Sequence, residues 1–485
     1  MGYEPTAGGD RILVNTAYRS AADVLAKIAT VLFFLVMARE LGEEGFGVFT
    51  FGLTFVMIVT TLGNFGQDSV LTREVARRPE LLGSYFANTL VLKLVLAVPA
   101  LLATTGIALA IGLDARTRDV VLILGVAVVA ELLMSTFFAV FQAFERLELA
   151  AVALIVQRFA TAAVGCWALV LGAGLRLVCV IYLGGALLGL AVAAAILFGK
   201  VSRPGFEVDP RRFVGLMRAA AGIGLAVAFA LVLFRVDMVM LGLFRSDEVV
   251  GNYGAAYRLL EATLFLSWSV GSAAYPVFSR LTRDTVPTVG AVYARSISLA
   301  VALTLPLAAG AAVTAEPLVS FLYGEEYDRA AGALVLLAPT IALYPISYVT
   351  GNLLVSQGRQ RAVATIYGLV AIENILGNLV LIPWLSLDGA ALGTSISSAL
   401  VVVALVAVAS RTAGAIEWRR LAGPVLASAL AALAMALLRG HLGLAVVAGA
   451  AAYLILLAAF EWLVLPEDAR AISSLLRRAN RTDPS

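Results

Sequence analysis

Long apolar runs dominate the chain, and short polar connectors separate them. A helix that crosses a bilayer needs roughly 20 mostly apolar residues, and about fourteen runs reach that length. The runs are rich in Ala, Leu, Val and Gly and do not alternate in polarity, so they predict helices rather than outer-membrane strands. The predicted spans are residues 12–38, 46–66, 84–112, 119–143, 149–172, 176–198, 213–243, 250–275, 290–314, 331–355, 363–384, 389–409, 420–438 and 442–465. We therefore expect an all-α polytopic membrane protein.

Composition agrees with lipid as the solvent of this chain. Of 485 residues, 61% are hydrophobic and 14% are charged, whereas soluble domains carry about 25% charged residues. Thirty-five Lys and Arg stand against 32 Asp and Glu, and this near balance lacks the basic excess typical of nucleic-acid binding. One His and two Cys predict neither a disulfide framework nor a metal site. We expect no nucleic-acid partner and no metal.

The charge of the connectors gives the orientation. Twenty-two Lys and Arg lie in the termini and every second connector or in the span ends next to them, against seven in or next to the other connectors. The positive-inside rule then puts both termini in the cytoplasm of a cell membrane, inner or plasma. The most basic connector follows the sixth span. The predicted parts are an N-lobe (1–199, spans 1–6), a cytoplasmic linker (200–212), a C-lobe (213–411, spans 7–12), two extra helices (412–465) and a cytoplasmic tail (466–485).

A weak internal similarity relates the two lobes. EGFGVF at 44–49 opens the second span, and VVGNY at 249–253 opens the eighth. Both lobes begin on the cytoplasmic side, so a repeat between them is parallel, with its axis along the membrane normal. Two six-helix lobes arranged in this way are typical of an alternating-access carrier.

Ionisable side chains inside the predicted spans are the candidate functional residues. Placed singly in lipid, each would cost about 2.5–3.5 kcal/mol, so most must face one another or a wet interior. On the first span, Asn15, Arg19, Asp23 and Lys27 recur every four residues and share one helix face. Two cations for one acid favour a cavity wall that binds an anionic ligand. A structural stripe of ion pairs is the alternative.

Other spans add candidates for substrate binding. Lys93 on the third span either faces the cavity or snorkels towards the membrane surface. Arg235 and Asp237 on the seventh span point about 200° apart, so each needs a partner on another helix. Arg258 and Glu261 lie three residues apart on the eighth span. We expect Arg235 to be balanced by Glu261 or by the ligand, and an Arg–Glu clamp between helices is equally consistent.

Glu131 and Glu373 lie near the middle of the fourth and eleventh spans. Buried carboxylates are protonated or bind an ion, so both are candidates for H⁺ or Na⁺ coupling, and no other cofactor is expected. The sequence contains no HExxH, GxSxG or GxxxxGK[ST] motif, so we expect no enzyme of these classes and no ATP hydrolysis.

Several segments resemble one family of exporters. FRVDMVMLGLF (234–244) and GNYGAAYRLLEA (251–262) resemble the start of the second half of polysaccharide flippases. ARELGEEGFGVFTF (38–51) and NFGQDSVLTREVARR (64–78) are similar to the first hairpin and first cytoplasmic loop of that family. These are the Wzx-type members of the multidrug/oligosaccharidyl-lipid/polysaccharide (MOP) exporter superfamily. The resemblance covers nearly the whole chain and implies two lobes around a central cationic cavity.

The resemblance also implies the cargo: an oligosaccharide joined through phosphate or pyrophosphate to a polyprenol. Such a flippase moves it from the cytoplasmic to the outer leaflet for cell-surface polysaccharide biosynthesis. It further implies that Arg19, Arg235, Asp237 and Arg258 line the cavity. The alternatives are a MATE-type drug or cation antiporter and a lipid II-type flippase, whose branch the two extra helices resemble. We expect membrane lipids and polysaccharide assembly enzymes as partners, and a monomer.

Overall fold

The structure is a computed structural model that describes residues 8–60, 65–280, 286–413 and 418–464. Side chains are described from residue 24 onward, apart from those at 223, 286–288, 418 and 461–464. The described residues are almost entirely helical, and none of them forms a strand. The predicted cytoplasmic tail at 466–485 lies outside them.

Fifteen α-helices follow one another through these ranges. They are α1 (Gly8–Thr60), α2 (Gln67–Arg77), α3 (Leu82–Ala110), α4 (Ala115–Ala143), α5 (Leu147–Val170), α6 (Leu175–Ile196), α7 (Arg211–Phe244), α8 (Asp247–Arg280), α9 (Val286–Val313), α10 (Ala315–Tyr323), α11 (Asp328–Ser356), α12 (Gln360–Leu385), α13 (Leu387–Ala413), α14 (Trp418–Leu437) and α15 (Leu442–Val464). Short 3₁₀ turns precede α3 and α11, and a π turn at Leu197–Val201 extends α6.

Eleven helices of the described ranges are long and apolar enough to cross a membrane, namely α3 to α7, α9 and α11 to α15. The remaining predicted spans fall on α1 and α8. Helix α8 is less apolar than these because Arg258, Glu261 and several Ser and Tyr interrupt its apolar residues. The all-α polytopic class is therefore confirmed, whereas the number of fourteen spans stays a prediction.

Gly42 joins the first two predicted spans within α1. Its backbone has φ 68° and ψ 177°, a conformation that glycine adopts readily and that residues with a Cβ rarely do. The chain therefore kinks at this residue and continues as helix, so the two spans follow each other without a loop.

The helices form two compact units. The first comprises Met1–Ala255 and Gln360–Ala390, which include α1 to α7, the beginning of α8, and α12. In it α1 packs against α4 and α5, α4 against α6, and α7 against both α12 and α1. In the second unit, Ala256–Arg359 and Ala391–Ser485, α9 packs against α11 and α14, and α14 against α15. Contacts thus group α7 and α12 with α1 to α6, whereas the sequence assigns them to the C-lobe; the lobe boundaries stay a prediction.

The second part of α1 packs so closely against the start of α8 that the two helix backbones are in contact. A Cβ atom on Gly47 would lie 1.9 Å from the Asp247 carbonyl oxygen, and one on Gly251 would lie 1.9 Å from the Glu43 carbonyl oxygen. Larger residues would push the helices apart, so glycine at both positions permits the contact. Nearby, the Asn252 side chain donates a hydrogen bond to the Glu43 carboxylate.

Candidate functional site

The polar face predicted on the first span lies on α1. Arg19 and Asp23 are in the helix, but their side chains lie outside the described part of the structure. Lys27, two turns after Arg19, is partly buried and takes part in an interaction. Successive residues four apart share a helix face. The role of these three residues in substrate binding stays a prediction.

Asp237 is fully buried on α7. Its carboxylate accepts a hydrogen bond from the Tyr253 hydroxyl at the start of α8 and one from the backbone N–H of Met238 at 2.7 Å. These bonds compensate the cost of burying the carboxylate and tie α7 to α8. Arg235 precedes Asp237 by two residues, so it points to another side of the helix, where it is only partly buried.

Arg258 and Glu261 form an ion pair on α8. An Nη1 of Arg258 donates to Oε2 of Glu261 at 2.8 Å, and the two side chains are 17% and 12% exposed. The pair follows from their i, i+3 spacing. Glu261 therefore balances a cation on its own helix, a partner that the sequence analysis did not assign to it.

Lys93 is fully buried on α3, and all three of its ammonium protons have acceptors. Nζ donates to Asp68 Oδ1 at 2.6 Å, to the Leu132 carbonyl at 2.9 Å and to Ser135 Oγ at 2.8 Å. Ser135 Oγ in turn donates to Asp68 Oδ2 at 2.7 Å. The cluster joins α2, α3 and α4, so in this structure Lys93 serves the packing of helices. Whether it also contacts substrate stays a prediction.

Sequence reasoning did not single out Asp68. It lies in the predicted connector after the second span, so it was not counted among the intramembrane charges. The available signal was an acid, Asp68, that lies five residues before the first basic residue of NFGQDSVLTREVARR. A buried lysine needs a carboxylate within reach, and the connector that leads into the third span contains this carboxylate.

Glu131 is also paired. Its Oε1 lies 3.2 Å from an Nη2 of Arg158 and accepts hydrogen bonds from Gln157 Nε2 at 2.7 Å and from the Tyr182 hydroxyl at 3.4 Å. The side chains of Glu131 and Arg158 are 23% and 25% exposed. The pair links α4 to α5, with α6 contributing the tyrosine. A coupling role for Glu131 would have to operate through this network.

Glu373 lies partly buried on α12 beside two buried asparagines. Nδ2 of Asn378 donates to Oδ1 of Asn374 at 3.0 Å, and Oδ1 of Asn378 has no hydrogen-bond partner among the described residues. Glu373 itself takes part in an interaction. Among the residues that the structure describes, no group of three or more His, Cys, Asp or Glu is placed to hold a metal ion.

A group of carboxylates surrounds the contact between α1 and α8. Burial is the main cause that raises the pKa of Asp247, and the neighbouring Asp114, Glu44 and Glu248 raise it further, whereas Arg116 lowers it. Arg116 also forms an ion pair with Glu44. This end of the first unit therefore concentrates negative charge where the two helices touch.

Solved structures show which class of protein has this fold. The lipid II flippase MurJ in an inward closed conformation superposes with a TM-score of 0.79, at 12% identity, over 92% of this chain and 99% of that chain. An inward-facing multidrug resistance MATE family transporter of the MOP superfamily superposes with a TM-score of 0.67, at 15% identity, over 80% of this chain and 94% of that one. The fold is that of the MOP superfamily, and the protein is a multi-pass membrane protein.

The family follows from the sequence profiles. The profile described as "Polysaccharide biosynthesis protein" matches residues 12–282, more than half of the chain, and the protein belongs to this family. The profile described as "MatE" matches residues 223–380. The probable low-salt glycan biosynthesis flippase Agl15 of Haloferax volcanii is 24% identical over 375 residues, which cover 75% of this chain and 76% of that protein. The resemblance noted in the sequence is thereby confirmed.

Proposed function

We propose that this protein is a flippase that moves a polyprenyl phosphate- or pyrophosphate-linked oligosaccharide from the cytoplasmic to the outer leaflet, for cell-surface polysaccharide biosynthesis. The family match over residues 12–282 carries this proposal. A curated relative described as a probable glycan biosynthesis flippase supports a glycan as the cargo. Translocation breaks no covalent bond, so the protein acts as a carrier and not as an enzyme.

Cationic side chains on the membrane-embedded helices are suited to bind the phosphate groups of the lipid-linked headgroup. Guanidinium groups bind phosphate oxygens through paired, charge-assisted hydrogen bonds. Asp237 is buried and accepts a hydrogen bond from Tyr253, whereas Arg235, two residues earlier, points to another side of α7. In the proposed mechanism Arg19, Lys27, Arg235 and Arg258 attract the diphosphate, the glycan crosses through water, and the lipid tail stays in the bilayer. Alternating access exposes the headgroup to each side in turn.

The test replaces the proposed headgroup contacts one at a time. Arg235→Ala and Arg19→Ala should leave the amount of protein in the membrane unchanged and abolish glycan export in cells. Arg218→Ala is the matched control, because Arg218 is an exposed arginine near the start of the same helix α7. Normal export in both Arg235→Ala and Arg19→Ala cells would contradict the cationic cavity.

We further propose that both termini face the cytoplasm and that the protein works as a monomer in the cell membrane beside polysaccharide assembly enzymes. An ion gradient of H⁺ or Na⁺ would drive the cycle, with Glu131 and Glu373 as the candidate carboxylates. Reconstituted protein should then translocate substrate faster under an imposed pH or Na⁺ gradient. Equal rates with and without both gradients would exclude this coupling.

A MATE-type antiporter is the second candidate, because the MatE profile matches residues 223–380. Carriers of cationic drugs need acids in the cavity, whereas Arg19, Lys27 and Arg235 are basic. A dye-efflux assay with a quaternary ammonium compound separates the two functions. Efflux that depends on this protein, together with normal glycan export in its absence, would favour the antiporter.

A further inference from the structure

A pocket lined by apolar and polar side chains lies where α2 meets the first turns of α3 and α7. Its volume is about 330 Å³, within the usual range for small ligands. The lining residues are Val70, Arg73, Glu74, Ser84, Tyr85, Asn88, Arg212, Gly215, Leu216 and Ala219. All of them belong to the first compact unit.

Several hydrogen-bond donors of this pocket are available to a ligand. Arg212 contacts Asp209 at 3.7 Å, too long for a hydrogen bond, so its guanidinium protons are unused within the described part of the chain. Arg73 directs Nε and Nη2 to one oxygen of Glu74, at 3.0 and 2.9 Å, which leaves Nη1. The Tyr85 hydroxyl has no hydrogen bond to the described residues. Two guanidiniums and a hydroxyl match the acceptor oxygens of a phosphate.

Packing and a hydrogen bond hold the walls of the pocket together. Directly beside it, Val70, Leu92, Leu216 and Ala220 form a buried apolar cluster that joins α2, α3 and α7. Asn88 fixes the connector that leads into α7, accepting a hydrogen bond from the backbone N–H of Asp209 at 2.9 Å. The helices that carry the donors are therefore held together before a ligand binds, and the entropy cost of binding falls mainly on the half-exposed side chains of Arg73 and Arg212.

The pocket opens on the basic side of the membrane. The connectors that supply α2 and the start of α7 are among the most basic of the chain, and the positive-inside rule assigns this side to the cytoplasm. Its lining carries two arginines and a single carboxylate, Glu74. We propose that this pocket binds the phosphate headgroup of a lipid in the cytoplasmic leaflet, at a site separate from the translocation residues. The proposal is independent of the cargo, because binding at this site requires no transport.

Binding to the purified full-length protein in detergent tests the proposal. The probes are farnesyl diphosphate, phosphatidylglycerol and inorganic pyrophosphate, with farnesol as the probe without phosphate. The double variant Arg73→Gln and Arg212→Gln should weaken binding of the phosphate-bearing probe by at least about tenfold. The double variant Arg77→Gln and Arg211→Gln removes equal charge from positions of the same two helices that do not line the pocket, and it should change affinity by less than about twofold.

The three phosphate probes identify the source of the headgroup: a prenyl diphosphate, an anionic phospholipid or a free phosphate compound. Equal weakening in both double variants would mean diffuse surface attraction and would overturn the site. Binding of farnesol as strong as that of farnesyl diphosphate, or no binding of any phosphate probe, would also overturn it.

A steric variant provides an independent check. A Cβ atom at Gly215 would meet open space within 4 Å, so Gly215→Phe should fill the pocket without disturbing α7 and should abolish binding. Gly222→Phe is the control, because Gly222 lies on the same helix, also faces open space and does not line the pocket. Unchanged binding in Gly215→Phe would contradict the proposal.

Discussion

The side chain of Asn88, fully buried on α3, accepts a hydrogen bond from the backbone N–H of Asp209 at 2.9 Å. Its amide nitrogen donates to the carbonyls of Glu207 at 2.9 Å and Ser84 at 2.7 Å. One side chain therefore fixes the connector between α6 and α7 to α3. A Cβ atom on Gly83 would lie 2.8 Å from the Gly205 carbonyl, so the same connector also crosses α3 at close range.

Asn88→Ala should release the connector. The variant leaves the N–H of Asp209 without its acceptor, and we expect a loss of about 1–3 kcal/mol in the free energy of unfolding. The glutamate-specific protease Glu-C should then cleave after Glu207 much faster than in the unchanged protein, as measured by mass spectrometry of the fragments. Ser84→Ala is the control, because Ser84 Oγ has only a 3.5 Å contact with Asn88. Equal cleavage rates in Asn88→Ala and the unchanged protein would show that the connector is held by other contacts.

Lys93→Met should destabilise the protein by about 3 kcal/mol, because it leaves the Asp68 carboxylate without its cation. The double variant Lys93→Met and Asp68→Asn should recover part of this loss, since no unpaired charge remains. Thermal unfolding in detergent of the unchanged protein, the two single variants and the double variant measures these losses. Strictly additive losses would mean that the 2.6 Å contact between the two side chains contributes no coupling energy.

Tyr253→Phe removes the hydroxyl that donates to the buried Asp237. We expect a loss of about 1–3 kcal/mol in the free energy of unfolding, with glycan export reduced only as far as the amount of folded protein is reduced. Arg235→Ala should do the opposite, leaving the folded amount unchanged and abolishing export. Size-exclusion chromatography and an export assay on the same cells separate these results, and a full loss of export in stable Tyr253→Phe protein would assign Asp237 a direct role.

Asp247 should make stability depend on pH. Its pKa in the native state is raised, first by burial and then by the neighbouring carboxylates. The native protein thus holds the proton more tightly than the unfolded chain, where the pKa is about 3.9. The resulting stability is fully present below about pH 4 and is lost as the pH rises through the native pKa.

Asp247→Asn should therefore flatten the fall of the melting temperature as the pH rises above about 4. Asp119→Asn provides the comparison, because Asp119 is an exposed carboxylate on the same unit, 55% exposed. If Asp247→Asn and the unchanged protein have parallel pH profiles, the carboxylate group around the α1–α8 contact does not control stability.

The helices could be predicted from the sequence, whereas the partners of their charges could not. Apolar runs longer than a bilayer leave helix as the available structure, and the spans from α3 to α7 follow their predicted runs closely. The pair of Arg258 and Glu261 is local and agrees with helix periodicity, although the sequence analysis assigned Glu261 or the ligand to Arg235. Lys93 and Asp68, in contrast, are joined by the folding of a connector onto α3, and periodicity carries no information on that contact.

The pair of Glu131 and Arg158 illustrates the same limit inside the membrane. The sequence identifies Glu131 as an intramembrane charge, but Arg158 lies on a different helix, and their 3.2 Å contact depends on the rotation of α4 against α5. Apolar residues cover most of both helices, so the rotation cannot be inferred from a polar stripe. The sequence therefore identifies the candidate residues of the site. It does not show which of them form structural ion pairs and which contact the ligand.

The burial of Lys93 constrains the biogenesis of the protein. Helix α3 carries a full positive charge whose acceptors come from the helix before it and the helix after it. A nascent chain that has released α3 but not α4 lacks the Leu132 and Ser135 oxygens, so two of the three ammonium protons of its lysine have no acceptor from α4 within lipid. Helices α2, α3 and α4 should accordingly leave the translocon as a group, and chains truncated between α3 and α4 should be substrates for membrane quality control.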